Sequence, residues 1–308
     1  MSGPQRCPAL SAIVIGFDMG RELPRTVLSL LPPYQIGVEP GEVEIIVVDN
    51  GSAEPVRRDA FPADAEVRVV RIDDAGVSPC PAINRGVALA RADRVALMID
   101  GARMVSPGMI RAALDAAAGR PQAFVSTLGF HLGPKVQQVS VAEGYSRAAE
   151  DRLLAEIGWP HGDGYRLFDI CAPGESYAKG VLAPPPESTF FVMKKAMFEA
   201  IGGYDERFVS LGGGFASFDF FRRAVAAAGD GFTLLVGEGT FHQLHYGATT
   251  QEGGVRREAE PGVSLGDLFG REYEAIVGEP FRRVERMPLL IGRVTHPAVP
   301  RLFFAAPG

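Results

Sequence analysis

The 308-residue sequence has few of the features that define several large classes of protein. Its three cysteines, Cys7, Cys80 and Cys171, are widely spaced and odd in number, which argues against a disulfide framework and for a reducing compartment. No run of about 18 uncharged apolar residues occurs, so no membrane span is predicted. The first apolar run, at residues 10–15, is too short for the apolar region of a signal peptide. We therefore expect a cytoplasmic protein.

The sequence also has no concentrated run of Lys and Arg residues. The chain has 31 Lys and Arg residues against 37 Asp and Glu residues, a net charge of −6, and its basic residues are scattered. Nucleic-acid binding needs a concentrated basic face, because the phosphate backbone supplies most of the affinity. Nucleic acid is therefore not a predicted partner.

What the sequence does contain is a regular alternation of two patterns over its first 130 residues. Short β-branched runs, typical of buried strands, occupy residues 10–15, 43–48, 67–72, 95–99 and 123–128. Helical patterns separate them at residues 21–31, 80–92 and 107–118. This order predicts an α/β fold with a mostly parallel sheet flanked by helices, which binds ligands where its strands end in loops.

The second half of the chain is less regular. A helix is predicted at residues 142–157, followed by an irregular stretch to residue 186 that we interpret as a functional loop. Strands at 190–193 and 233–236 and helices from 194, at 215–228 and at Leu265–Val277 follow. We expect a main domain at residues 1–255, with a nucleotide-binding half at 10–128 and an acceptor-side half at 129–255. Residues 256–308 are expected to form a C-terminal helical extension and tail.

Two of the predicted strands end in an aspartate followed by a glycine turn. Asp49 ends the strand at 43–48, and Asp100 ends the strand at 95–99, one βαβ unit later. Both carboxylates are therefore expected at the same edge of the sheet, where they suit a nucleoside diphosphate with or without a divalent ion. An Asx turn that closes the strand is the alternative interpretation of Asp49.

These motifs, in this order, resemble glycosyltransferase family 2 over about residues 10–250. The resemblance rests on Val-Val-Asp-Asn-Gly-Ser at 47–52, Asn84 before Gly86, Asp100 at the first place of a D-x-D motif, Gly-Gly-Tyr-Asp-Glu at 202–206, and a late histidine. It implies a glycosyltransferase-A fold and transfer of a sugar from a nucleotide donor, most often a UDP-sugar, to an acceptor hydroxyl. The implied donor-binding residues are Phe17, Asp49, Asn50, Asn84, Asp100, Gly101, Ala102 and Arg103.

Two positions depart from the family pattern. Ala102 stands where relatives usually supply a second metal-binding carboxylate, so dependence on Mg²⁺ or Mn²⁺ is left open, and Arg85 or Arg103 could supply positive charge instead. Ser217 stands where relatives have the catalytic base, and a serine needs its own activator to act as one. An inverting transfer needs a carboxylate that accepts the proton of the acceptor.

Three carboxylates are candidates for that base. Asp219 is the first candidate, with an ion pair to Arg223 at i,i+4 as its structural alternative. Asp205 and Glu187 are the others, and Glu187 precedes an apolar run in which a lone buried carboxylate would need a partner or a task.

The histidines and aromatic residues complete the candidate site. The resemblance implies metal ligands at Asp100, His242 and His245, but the strand or loop spacing of the two histidines predicts that only one, His242, makes the contact. Trp159 and Glu206 are weak candidates for acceptor contacts, as are His131 and His161.

The leading hypothesis is a hexosyltransferase-type glycosyltransferase whose acceptor is a glycan, a lipid-linked molecule or a small molecule. The alternative is a non-catalytic module that keeps the fold and binds a sugar or a protein, which the two departures favour. A nucleotidyltransferase is disfavoured because no Gly-rich, basic phosphate loop follows the first strand.

Overall fold

A computed structural model describes residues 7–245 and 263–304, which form one sheet with helices packed on both faces. The strands of this part of the chain are β1 (Leu10–Gly16), β2 (Val43–Asp49), β3 (Val67–Arg71), β4 (Arg94–Met98), β5 (Arg103–Val105), β6 (Phe124–Leu132), β7 (Cys171–Pro173), β8 (Phe191–Lys194), β9 (Phe232–His242) and β10 (Leu289–Gly292).

The α-helices of the same residues are α1 (Leu23–Ser29), α2 (Cys80–Leu89), α3 (Met109–Ala117), α4 (Gln137–Ala142), α5 (Arg147–Glu156), α6 (Lys195–Ala200), α7 (Ala216–Ala228), α8 (Leu265–Val277) and α9 (Val299–Phe304). Short 3₁₀ helices occupy Arg58–Ala60, Gly164–Asp169, Glu175–Tyr177, Gly180–Leu182, Leu211–Gly213 and Gly229–Gly231. No helix in the described ranges is both long and apolar enough to cross a membrane.

The strand order in the sheet is β10-β9-β6-β8-β4-β1-β2-β3, with β5 paired to β9 and β7 paired to β6. The neighbours β4-β1-β2-β3 run parallel, as do β6-β9-β10. Strand β8 joins the two groups and is antiparallel to both. The predicted α/β fold with a mostly parallel sheet is confirmed.

The core has one apolar layer on each face of the sheet, because successive side chains of a strand point to opposite faces. In β1, Ala12 and Val14 belong to the layer under α1 and α3, whereas Ile13 and Ile15 belong to the layer under α2 and α7. A third apolar cluster, around Phe130, packs the irregular stretch after α5 against the ends of β6 and β9. Much of the predicted loop at 158–186 is thus anchored to the core.

The observed elements follow the predicted ones closely in the first half and depart from them later. Helix α8 has the predicted bounds. The single helix predicted at 142–157 is wrong: α4 ends before Gly144, which has a φ of +94°, and α5 starts anew from the N-cap Ser146. The predicted domain boundary between residues 255 and 256 lies outside the described residues.

Strand β9 is eleven residues long, although only 233–236 was predicted. Gly237 and Gly239 resemble strand breakers in the sequence, but here they form a bulge. Ser126 of β6 pairs with Leu234, and Leu128 then pairs with Gly239, so β9 has three more residues than β6 between these pairs. The strand continues after the bulge and ends at His242.

Candidate active site

The candidate site begins at the turn that follows β4. The peptide N–H of Gly101 donates to the carbonyl of Ile15 over 2.7 Å, which fixes this turn to the end of β1. A Cβ at Gly101 would lie 2.6 Å from that carbonyl oxygen, so only glycine fits. The N–H of Ala102 donates to Oδ1 of Asp100 over 3.0 Å. The turn therefore presents the Asp100 carboxylate at the carboxyl end of the sheet.

Two histidines from β9 and the residues after it converge on that carboxylate. His242 Nε2 lies 2.6 Å from Asp100 Oδ2, and His245 Nε2 lies 3.7 Å from Asp100 Oδ1. The two Nε2 atoms are 3.2 Å apart. The prediction that only His242 reaches this point is wrong, because the chain leaves the strand after His242 and returns His245 to the same side.

Burial and charge set the protonation of this cluster. Burial by itself raises the pKa of Asp100, but the charges of His242, His245 and Arg103 outweigh it and hold that pKa well below its ordinary value. Burial lowers the pKa of His242 to about 4, although Asp100 opposes the change. The folded protein therefore holds an ionised carboxylate beside a neutral imidazole near pH 7.

The chemistry of the three residues fits a divalent cation. Their ligand atoms all lie within 4.8 Å of one another. One His242 nitrogen faces both a carboxylate oxygen and a second imidazole nitrogen, and a single proton cannot serve both neighbours. The buried Nδ1 of His242 has no hydrogen-bond partner among the described residues. Two imidazole nitrogens and a carboxylate form a mixed nitrogen and oxygen donor set, which suits a divalent transition metal better than Mg²⁺.

Arg103 borders the cluster from the adjacent strand. It pairs with His242 in the antiparallel register of β5 and β9, and its Nε lies 3.6 Å from Asp100 Oδ2. That Nε is buried and has no hydrogen-bond partner in the described parts of the chain. The guanidinium can therefore donate to an anionic ligand held at Asp100, beside the position where Ala102 lacks a carboxylate.

His131 lies closer to the cluster than the sequence indicated. Its ring is 5.4 Å from that of His242, its neighbour across β6 and β9. Burial lowers the pKa of His131 to about 2, helped by the charges of His242 and Arg103. Its Nδ1 accepts the N–H of Gln137 over 2.9 Å, and the Gln137 amide donates to the His242 carbonyl over 2.9 Å. Gln137 was not predicted as part of the site, because no motif in the sequence relates it to His242, which lies 105 residues later.

The structure places the Asp49 side chain within the turn that follows β2. Its carboxylate is fully buried and accepts the N–H groups of Ser52 and Val56, over 2.9 and 3.1 Å, and Nη1 of Arg71, over 2.7 Å. Burial raises the pKa of Asp49, but these hydrogen bonds outweigh burial and lower it. Asn50 is likewise buried and donates to the Gly76 carbonyl over 3.3 Å. This geometry supports the Asx-turn alternative for Asp49.

Asn84 is also used within the protein. Its Nδ2 donates to the Tyr204 carbonyl over 2.8 Å and to Glu206 over 2.9 Å, and its Oδ1 accepts the Tyr204 N–H over 2.9 Å. These bonds fill both donors of the amide and one acceptor site. These bonds give Asn84 a support role for residues 202–206, and Glu206 takes part in the same support.

Two of the three candidate bases are held by arginines. Asp219 is buried and accepts Nε of Arg223 over 2.7 Å, and Arg222 lies 3.5 Å from its other oxygen. Asp205 is bound by Arg207 through two guanidinium nitrogens at 3.0 and 2.6 Å, and this arginine lowers the pKa of Asp205. The structure supports the ion-pair alternative for Asp219 and gives Asp205 a comparable role.

Glu187 differs from both. It is partly buried just before β8, and its carboxylate accepts the Ser176 hydroxyl over 2.7 Å. No ion pair engages it within residues 7–245 and 263–304. Burial raises the pKa of Glu187, and the Ser176 hydrogen bond and the charge of Arg103 only partly oppose this. Arg103 thus acts on Glu187 as well as on Asp100.

The two predicted aromatic contacts have different surroundings. Phe17 follows β1 directly and is 54% exposed, so its ring is free to contact a ligand at the carboxyl end of the sheet. Trp159 packs against the Phe130 cluster, and its ring lies 6.1 Å from that of Tyr34. The position of Trp159 supports anchoring of the loop to the core rather than a contact with an acceptor.

Comparison with solved structures finds distant similarity. The chain is 12% identical to S. aureus TarS 1-349 in complex with UDP, covering 77% of this chain and 58% of that one, with a TM-score of 0.47. Against the complex of TarS 1-349 with UDP-GlcNAc the identity is 12%, the coverage 77% and 56%, and the TM-score 0.48. The chain is also similar to the mannosyltransferase PcManGT from Pyrobaculum calidifontis in complex with GDP-Man and Mn²⁺. The identity is 15%, the match covers 71% of this chain and 52% of that one, and the TM-score is 0.45.

The chain therefore spans between half and three fifths of the length of these proteins. No curated protein matches it significantly. The model of one family, described as glycosyltransferase like family 2, matches residues 35–230, which is more than half of the chain and includes β2 to α7. The chain belongs to the glycosyltransferase-like family 2.

Proposed function

We propose that this protein transfers a sugar from a nucleoside-diphosphate donor, a UDP-sugar, to an acceptor hydroxyl. The observation that carries the proposal is the convergence of Asp100, His242 and His245 beside Arg103 at the carboxyl end of the sheet. Family membership supports the same activity. Ligands of open α/β sheets bind at this edge, and the four side chains provide both cation ligands and positive charge for a diphosphate.

In this proposal the protein stabilises the leaving diphosphate from two directions. A divalent cation held by Asp100, His242 and His245 would neutralise negative charge that develops on the diphosphate. Arg103, which forms a long ion pair with Asp100 and has an Nε without a hydrogen bond, donates to the diphosphate oxygens in this proposal. Arg103 thereby compensates for the carboxylate that Ala102 lacks. Phe17, exposed next to the turn, provides an apolar surface for the donor.

Glu187 is the proposed general base. It takes the proton of the acceptor hydroxyl as that oxygen bonds to the anomeric carbon, and the bond from that carbon to the diphosphate breaks, which inverts the configuration. Asp219 and Asp205 are held by arginines, whereas Glu187 has one neutral partner and a raised pKa. In this proposal the acceptor is a glycan, a lipid-linked molecule or a small molecule. The transferred sugar is a hexose, and the reaction takes place in the cytoplasm.

Metal-dependent nucleotide binding tests the donor site. UDP with Mn²⁺ should raise the melting temperature of the native chain, and Asp100→Asn and His245→Ala should each abolish the Mn²⁺-dependent part of that rise. His161→Ala is the matched control, because His161 is exposed in the loop after α5 and lines a different depression, with Tyr34 and Pro107. No shift with any nucleoside diphosphate, with or without Mn²⁺, contradicts the proposal. Binding without UDP release from any donor sugar would instead favour a non-catalytic module.

A second experiment tests the base. Glu187→Gln should lower transfer by about 10²–10⁴-fold, the usual contribution of general-base catalysis, and leave UDP binding unchanged. Native activity should fall as the pH drops through the raised pKa of Glu187, since the base must be ionised. Glu199→Gln, an exposed glutamate on α6, controls for the change in charge. Near-native transfer by Glu187→Gln would exclude Glu187 as the base.

A further inference from the structure

Positive charge and exposed apolar side chains occur together near the C-terminus. Residues 281–304, here called the C-terminal edge, contain one acidic residue and five arginines, a net charge of +4 in a chain whose net charge is −6. The arginines, all exposed, are Arg282, Arg283, Arg286, Arg293 and Arg301. Of the eleven exposed large hydrophobic residues in the described parts, five lie here: Met287, Leu289, Leu290, Val294 and Phe304.

Most of this positive charge is not neutralised within the protein. Arg286 forms an ion pair of 3.0 Å with Asp230, and both side chains are well exposed. Arg282, Arg283 and Arg301 form no ion pair with any residue in 7–245 or 263–304. An exposed basic group without an acidic partner is available to an external anion.

The apolar side chains stand at the end of the sheet. Strand β10 pairs with β9 along one edge, and no strand in the described ranges pairs with its other edge. Leu289 and Leu290 are 51% and 40% exposed, although successive residues of a strand point to opposite faces. Neither face of β10 is therefore fully covered, and Arg286 and Arg293 flank the strand in the sequence.

We propose that the C-terminal edge docks on a membrane surface rich in anionic lipid. Lipid headgroups of that kind attract unpaired arginines, and the adjacent leucines and methionine can enter the interface between headgroups and acyl chains. A second copy of the chain fits less well. Each of two C-terminal edges brought together would carry a net charge of +4, and like charges oppose such an association. The proposal is independent of the sugar-transfer activity.

Sedimentation of the full chain with lipid vesicles tests this. We expect binding to vesicles of phosphatidylcholine with roughly one third phosphatidylglycerol, little binding to phosphatidylcholine alone, and loss of binding when salt is raised from about 0.1 M to about 0.5 M. The double variant Arg282→Gln, Arg283→Gln should bind about 30-fold more weakly, since each arginine near an anionic surface contributes about a factor of five. Leu289→Ser with Leu290→Ser should also weaken binding.

The control variant makes the same change elsewhere. Arg68 lies on β3, at the opposite end of the sheet, and Arg152 lies on α5; both are exposed. Arg68→Gln with Arg152→Gln should bind vesicles as the native chain does. Equal loss in the control, equal binding to both vesicle types, or no binding at all would each overturn the proposal. A dimer in solution that the two leucine substitutions dissociate would assign the surface to a second copy and overturn it too.

Discussion

Replacing Asn84 by alanine separates a support role from a donor-binding role. The substitution removes three hydrogen bonds of 2.8–2.9 Å, two of them to the peptide groups of Tyr204, whose side chain is 2% exposed. Each backbone group left without a partner costs about 1–3 kcal/mol, so for the two groups we expect a loss of about 2–6 kcal/mol in the free energy of unfolding. For a chain of this size that loss lowers the melting temperature by roughly 3–9 °C.

Binding of UDP should change little, because the Asn84 amide is already engaged within the protein. Melting temperature and UDP affinity are measured on the same samples, the latter by calorimetric titration with Mn²⁺. Ala88→Ser, at an exposed position on the same helix, is the control for a change in α2. An unchanged melting temperature together with UDP binding weakened tenfold or more would contradict the support role and assign Asn84 to the donor site.

Three further predictions follow from single contacts. Asp219→Asn should cost about 1–3 kcal/mol of stability in a urea titration, because Arg223 is only partly buried, but it should retain UDP release; loss of release in a folded variant would make Asp219 the base. The lowered pKa of Asp49 stabilises the fold above the unfolded-state pKa, and this stability is lost as pH falls through the folded value. The free energy of unfolding, measured by urea titration, should therefore fall more steeply below about pH 5 for the native chain than for Asp49→Asn. Parallel pH dependences of the two proteins would contradict this. Gly101→Ala should weaken Mn²⁺ affinity in a direct titration, since a Cβ 2.6 Å from the Ile15 carbonyl displaces the turn that carries Asp100; unaltered affinity would argue that the turn tolerates a side chain.

The parallel half of the fold could be predicted because each of its strands is a short apolar run between helical patterns. The position of Asp100 followed from the same pattern, since parallel strands end at one edge of the sheet. The position of His242 did not. Its approach to Asp100 depends on the bulge at Gly237, and a glycine in a sequence indicates a bulge and a strand end equally well.

The roles of the polar residues were harder to predict than their positions. The sequence places Asp49 and Asn84 in loops and helices near the expected donor site, but it does not show the partners that engage their hydrogen-bonding groups. For Asp49 these include Arg71, 22 residues away, and for Asn84 the partner is Tyr204, 120 residues away. Glu187 could be named only as a carboxylate in an apolar context, since its nearness to Arg103 arises from the packing of β8 and β5 in one sheet.

The bulge in β9 also divides that strand into two parts that tolerate insertions differently. Residues 233–236 pair with β10, and residues 239–242 carry the register that sets His242 beside Arg103 and His131. A bulge can change in size at little cost, whereas one residue inserted between Gly239 and His242 would turn the imidazole to the opposite face of the sheet. The arrangement of the cation ligands therefore depends on the length of the short segment from Gly239 to His242 and not on the length of β9 as a whole.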